Sequence, residues 1–103
     1  MILSAAPKTP SALDATCQNG TAPSCLQGDV TFSGSGYPRN IDVEVIKDGV
    51  SLGVDGYTAP RGNVNFTLDF SAFGDIGSYT VRILDANGKD AGTELGSVSF
   101  DVQ

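Results

Sequence analysis

Histidine and tryptophan are absent from this chain, methionine occurs once, cysteine twice, and six basic side chains face twelve acidic ones. Without histidine, neither a Ser-His-Asp nor a Cys-His arrangement can be assembled, and the commonest general base is missing. Two cysteines and no histidine supply only half of a zinc shell. The basic residues Lys8, Arg39, Lys47, Arg61, Arg82 and Lys89 are scattered and the net charge is −6, so no nucleic-acid partner is expected. Long apolar runs are lacking too. None approaches the ~20 residues that cross a bilayer, so no membrane insertion is expected. The opening Met1-Ile2-Leu3-Ser4-Ala5-Ala6-Pro7-Lys8 has neither a charged n-region nor a long apolar h-region and does not read as a signal peptide. On that reading the chain is used without secretion, or it begins after a removed leader.

The remaining candidates for chemistry are weak. Asp42, Glu44 and Asp69 fall on the polar side of alternating segments and read as solvated outer-face carboxylates. Asp85-Ala86-Asn87-Gly88-Lys89-Asp90 has the flavour of a calcium loop, but Lys89 takes the fifth position and Asp90 stands where glycine is required. We therefore expect no enzyme, with no catalytic residue, cofactor or metal.

What is present is β-sheet composition. The 103 residues suit one domain, and 13 glycines among many Ser, Thr, Val and Asp favour short strands and tight turns. Residues 1–27 differ from the rest, with Pro7, Pro10 and Pro23 breaking any helix. They read as an extended N-terminal arm, with a first strand around Leu13–Cys17, followed by a cysteine loop. Gly20 and Pro23 would let the chain turn back so that Cys17 and Cys25 meet in a disulfide; the alternative is two free thiols in a reducing compartment.

Residues 28–103 alternate. Val30 and Phe32 share one face, as do Ile41, Val43 and Val45; Asp48-Gly49 then signals a hairpin to a short strand carrying Leu52 and Val54. Gly56 to Gly62 reads as a loop. Val64, Phe66, Leu68 and Phe70 alternate with polar residues, Tyr79, Val81 and Ile83 follow, and Val98, Phe100 and Val102 close the series. Six or seven strands with turns every eight to twelve residues predict a sandwich.

The stretch from Asp75 to Val81 reads Asp-x-Gly-x-Tyr-x-Val, through Asp75, Gly77, Tyr79 and Val81. In immunoglobulin-like sandwiches a tyrosine at this place turns its hydroxyl back to clamp the corner before strand F. With Val30, Phe32, Gly36, Pro38 and Lys47-Asp48-Gly49 in order, the chain from Val30 to Val102 resembles intermediate-set immunoglobulin domains of bacterial or bacteriophage type. Gly34 and Val81 stand where that family places its inter-sheet disulfide, and Val45 where it places a core tryptophan. The expected fold is thus an all-β, immunoglobulin-like Greek-key sandwich with an N-terminal arm. A bridge at Cys17–Cys25 would then pin the arm rather than the core.

The functional expectation follows from that setting. A non-enzymatic structural or surface protein is expected, concretely a bacteriophage virion component such as a capsid decoration or tail accessory protein on the virion surface. Met1, Ile2, Leu3 and Leu13 are the candidate partner-binding arm, suited to the groove or sheet edge of a shell protein or like subunit; the alternative is that the arm packs on its own domain. Deleting residues 1–16 is expected to abolish attachment and leave a folded sandwich. The alternative functions are a secreted or cell-surface adhesion or carbohydrate-binding module and an extracellular filament subunit. A glycan would meet Tyr37, Tyr57 and Arg39; otherwise these residues cover the ends of the sandwich.

Overall fold

The computed structural model describes residues 12–70, 76–87 and 91–103. Among these the chain forms nine strands and one short 3-10 turn, Pro60–Gly62, with no α-helix. One sheet has three antiparallel strands in the order β1 (Asp14–Cys17), β4 (Asp29–Gly34) and β7 (Val64–Asp69). The other has six, in the order β2 (Gly20–Thr21), β3 (Ser24–Cys25), β9 (Glu94–Val102), β8 (Gly77–Asp85), β5 (Asn40–Lys47) and β6 (Val50–Thr58). Every pairing is antiparallel except β3 with β9. The two sheets pack face to face as an all-β sandwich.

Period-two patterning explains which faces meet. Val30 and Phe32 of β4, Ile41 of β5, Tyr79, Val81 and Ile83 of β8, and Phe100 and Val102 of β9 are all buried. Aromatic rings join the layers. Phe32 lies 5.2 Å from Phe66 within its own sheet and 5.6 Å from Phe100 in the other. Phe70 meets Tyr79 edge-on at 4.7 Å, and Tyr79 stacks on Phe100 at 5.8 Å. Such pairs add about 0.5–1.5 kcal/mol each beyond the area they bury. Val81 fills the centre with aliphatic bulk and is fully buried, and its partner Val45 is half-buried beside it.

The hairpin at Asp48-Gly49 forms as its sequence predicts. Both residues have positive φ, 50° and 83°, which matches the twist of the flanking strands. Its tip is tied to the start of β8: the Asp48 N–H donates to the Ser78 carbonyl at 2.7 Å, and the Asp48 carboxylate accepts from the Ser78 N–H at 3.0 Å. The returning strand is longer than its sequence suggests. It runs on to Thr58, with Gly56 and Tyr57 paired to Asp42 and Ile41, so only the end of the expected Gly56–Gly62 loop lies outside a strand.

The segment expected as arm and cysteine loop is built into the sandwich from Leu13 onward. Leu13 is 3% exposed and sits in the core. β1 pairs with β4 through four residues, after which the chain crosses to the other sheet and lays β3 beside β9. The Cys17–Cys25 disulfide spans that crossing, with a Cα–Cα distance of 5.5 Å, and Cys25 is fully buried. The bridge therefore joins one sheet to the other, and it pins the core as well as the segment leading into it. Removing residues 1–16 would delete Leu13 and most of β1, so a deletion that spares the sandwich must stop before Ala12. Met1, Ile2, Leu3 and Asp75 lie outside the described residues.

Reducing the bridge releases a small loop, and the chain-entropy account assigns it roughly 2–3 kcal/mol. Urea denaturation with and without a thiol reductant should show a loss of that size, with the reduced chain still cooperative.

Candidate functional site

The polar residues on the outer face of the larger sheet are engaged with one another. Arg82 donates to Glu44 at 2.7 Å and to Glu94 at 2.8 Å, and Ser51 donates to Glu44 at 2.8 Å. Hydrogen bonds from Arg82 to Glu94, then to Glu44, hold the guanidinium above its ordinary value. Thr80 with Ser99, and Ser78 with Asp101, continue this cross-strand pairing. At the turn after β8 the Asp85 carboxylate accepts from the Asn87 backbone N–H and side-chain amide, at 2.8 and 2.9 Å. Gly88, Lys89 and Asp90 lie outside the described residues. Among the described residues no group of three or more potential ligands is gathered to hold a metal ion.

Tyr37, Tyr57 and Arg39 do not form a common platform. Tyr37 is 5% exposed; its N–H donates to the Gly62 carbonyl at 3.1 Å, and its ring lies against Gly96. Gly62, at φ +77°, approaches the Tyr37 backbone so closely that a Cβ there would collide with it. Tyr57 belongs to β6 on the opposite side of β5 from β8, and Arg39 is exposed just before β5.

Gly77, Tyr79 and Val81 lie in β8, with Tyr79 and Val81 buried. The Lys47 ammonium lies 5.8 Å from the Tyr79 ring centroid, a cation–π distance.

The feature that stands apart is the side of the sandwich where β6 and β7 run. Each is the last strand of its sheet among the described residues. Three strands cannot cover six, and β6 overhangs: eight of its nine residues are exposed. Val50, Leu52 and Val54 are exposed at 63%, 60% and 49%. Asp55 is the only charged residue in β6, which has neither lysine nor proline to discourage pairing. One protective device is present, a bulge at Leu52 where the register with β5 shifts.

Between β6 and β7 the gap forms a shallow apolar groove. Two recesses of about 210 and 290 Å³ share Val45, Asp55 and Leu68 and so run into one another. Phe66 and Tyr57 line one end, Leu52 and Phe70 the other. The first end is pinned. The Tyr57 hydroxyl donates to the Asn65 carbonyl at 2.8 Å and accepts from the Asn65 N–H at 3.2 Å, while its ring meets Phe66 at 5.3 Å. One side chain thus occupies the edge-facing backbone groups of Asn65. The two-residue period of a strand aims the backbone of Thr67 the same way, into the groove.

Nothing in the alternation signalled this groove. Its one local trace in the sequence is the exposed apolar series Val50, Leu52, Val54, beside a strand expected to be short. No protein-family model and no curated protein matches this chain.

Tyr57→Phe removes both bonds to Asn65 while keeping the ring. It should cost about 1–2 kcal/mol in urea denaturation and speed amide exchange at Asn65. Burial, and secondarily the Asp14 carboxylate, raise the Tyr37 phenol above its ordinary 10.0. A raised value stabilises the fold only while the phenol keeps its proton; above about pH 10 the unfolded chain ionises first and that contribution fades. Tyr37→Phe should therefore show a shallower alkaline fall in stability than the native chain, measured by urea midpoints across that range.

Proposed function

We propose that this chain is a non-enzymatic structural protein of a surface, with an immunoglobulin-like sandwich that holds it to a larger assembly by protein contacts. The concrete form is a bacteriophage virion component, a capsid decoration or tail accessory protein on the virion surface. Residues 1–11 and the free β6 edge would bind the shell, and the loops at the sandwich ends would face solvent.

The observation that carries this reading is β6, a nine-residue sheet edge presenting Val50, Leu52 and Val54 to solvent. A long apolar edge is a hazard in a monomer and an asset in a protein that must adhere. The immunoglobulin-like reading draws on the strand order. β1 lies in one sheet and β3, parallel to β9, in the other; β4 and β7 then return singly to the first sheet, while the pairs β5–β6 and β8–β9 stay in the second, where β5 and β8 are neighbours. An adhesion role is favoured over a glycan-binding one because Tyr37 is buried and the Tyr57 hydroxyl is committed to Asn65.

Density-gradient sedimentation of native source material tests the proposal. The chain should travel with large particles, and recombinant Val54→Lys protein should fail to bind particles stripped of the native chain. Recovery solely in the light soluble fraction overturns the virion reading.

A further inference from the structure

We propose that residues 18–26 are a redox-operated strap, held over the end of β9 by the Cys17–Cys25 disulfide and released by a dithiol while the sandwich stays folded.

Little besides the bridge holds this segment to the larger sheet. It contains β2 and β3, of two residues each. Seven of its nine residues are exposed and Ala22 is half-buried, so Cys25 is the one fully buried residue it gives to the core. Two backbone bonds fasten it to β9: the Asp101 N–H donates to the Pro23 carbonyl at 2.7 Å, and the Gln103 N–H to the Cys25 carbonyl at 2.9 Å. Its other ties are local. The Leu26 N–H donates to the Asn19 carbonyl at 2.9 Å inside the strap, and the Asn19 side-chain amide to the Gln27 carbonyl at 3.1 Å. The Gln18 N–H donates to the Asp29 carbonyl at 2.7 Å, a bond to the start of β4 in the smaller sheet. Two hydrogen bonds and one side chain are a weak hold on a segment that gains backbone freedom when it lets go.

The body of the sandwich does not depend on the strap. β1 keeps Cys17 in place through its pairing with β4, and β9 keeps its own pairing with β8 from Glu94 to Val102. On release the larger sheet shortens, among the described residues, from six strands to the four in the order β9-β8-β5-β6. The backbone groups of Asp101 and Gln103 that β3 had covered then lie on an open edge. Cys25 stays within eight residues of the anchored Cys17, a loop short enough to close again on oxidation.

The step is thiol–disulfide exchange. Cys17 is half-buried and Cys25 has no exposed surface, so an incoming thiolate meets the Cys17 sulfur. A bond forms from the reductant to Cys17 Sγ, the Sγ–Sγ bond breaks, and Cys25 leaves as a thiolate that takes up a proton. Apolar surroundings disfavour that anion, which favours its exit to water with the strap. The second thiol of the reductant then displaces Cys17, so the reductant departs as a disulfide and both cysteines are left as thiols.

The test is amide exchange of the purified full chain, followed by NMR with and without dithiothreitol. On reduction, Asp101 and Gln103 should exchange about tenfold faster or more, by an opening that leaves the rest of the fold closed. Their rates should be insensitive to low urea, because a local opening exposes little surface. The two-residue period aims the amides of Phe100 and Val102 the other way, at β8. In the reduced chain those two should remain slower and should respond to urea as the whole sandwich does. Cys17→Ser should reproduce the pattern without reductant and should not change when dithiothreitol is added. Reoxidation of the native chain should restore slow exchange at Asp101 and Gln103. Continued protection of these amides in the reduced chain, or in Cys17→Ser, overturns the proposal. So does exchange at the rate and urea dependence of Phe100 and Val102, since the segment then opens only with the whole sandwich.

Discussion

The mismatch between three strands and six governs this molecule. Neighbouring strands are spaced about 4.8 Å apart, so the sheet β1-β4-β7 is wide enough to cover β9, β8 and β5 and no more. The centre beneath it is buried, from Phe32 on one layer to Val81 and Phe100 on the other, while Val43, Val45 and Leu68 toward β6 are half-buried. What lies beyond it is β6. The overhang converts a closed sandwich into one with a lip, and the lip leaves an apolar groove that no strand among the described residues fills. Tyr57 works against that opening by reaching back from the lip to hold Asn65.

The opposite side is finished differently. There the chain crosses from β1 to β3 and places two residues parallel to β9, so that one continuous segment edges both sheets. The disulfide ties the crossing with Cys25 fully buried. A domain this small has little apolar area to spare, and covalent closure of one seam compensates for aliphatic residues at the centre. The two sides are thus unequal, one sealed by a bridge and one held by a single hydroxyl.

The strands that bury a face were legible in the sequence, and the extension of the exposed strand β6 beyond Val54 was not. Val64, Phe66, Leu68 and Phe70 announce β7 through alternation, and Tyr79, Val81 and Ile83 announce β8. Past Val54, β6 reads Asp-Gly-Tyr-Thr, with no apolar period because only Tyr57 of this stretch packs toward the core. Its extent is set by backbone pairing to β5, which leaves no mark on composition. β3 escaped for a related reason: two residues cannot display a period. The groove was hidden because it arises from strand counts in two layers, a long-range property. The Tyr57–Asn65 clasp is a contact between a side chain and a backbone across sheets, and no spacing rule encodes it. The cysteines, by contrast, were readable as a pair, although their place across two sheets followed only once β1 and β3 were assigned.

The seam between β1 and β3 also has a mechanical consequence. Tension applied through the residues before Ala12 runs lengthwise along β1 and loads its bonds to β4 together, in shear, so they resist as a set instead of opening one at a time. Should β1 give way, the pull arrives at Cys17 and passes through sulfur to Cys25, skipping the residues from Gln18 to Ser24 altogether. Cys25 is rooted in the core and its carbonyl accepts from the Gln103 N–H at 2.9 Å. A pull on the leading segment would therefore meet only a short first yield, with the load then borne by the body of the sandwich.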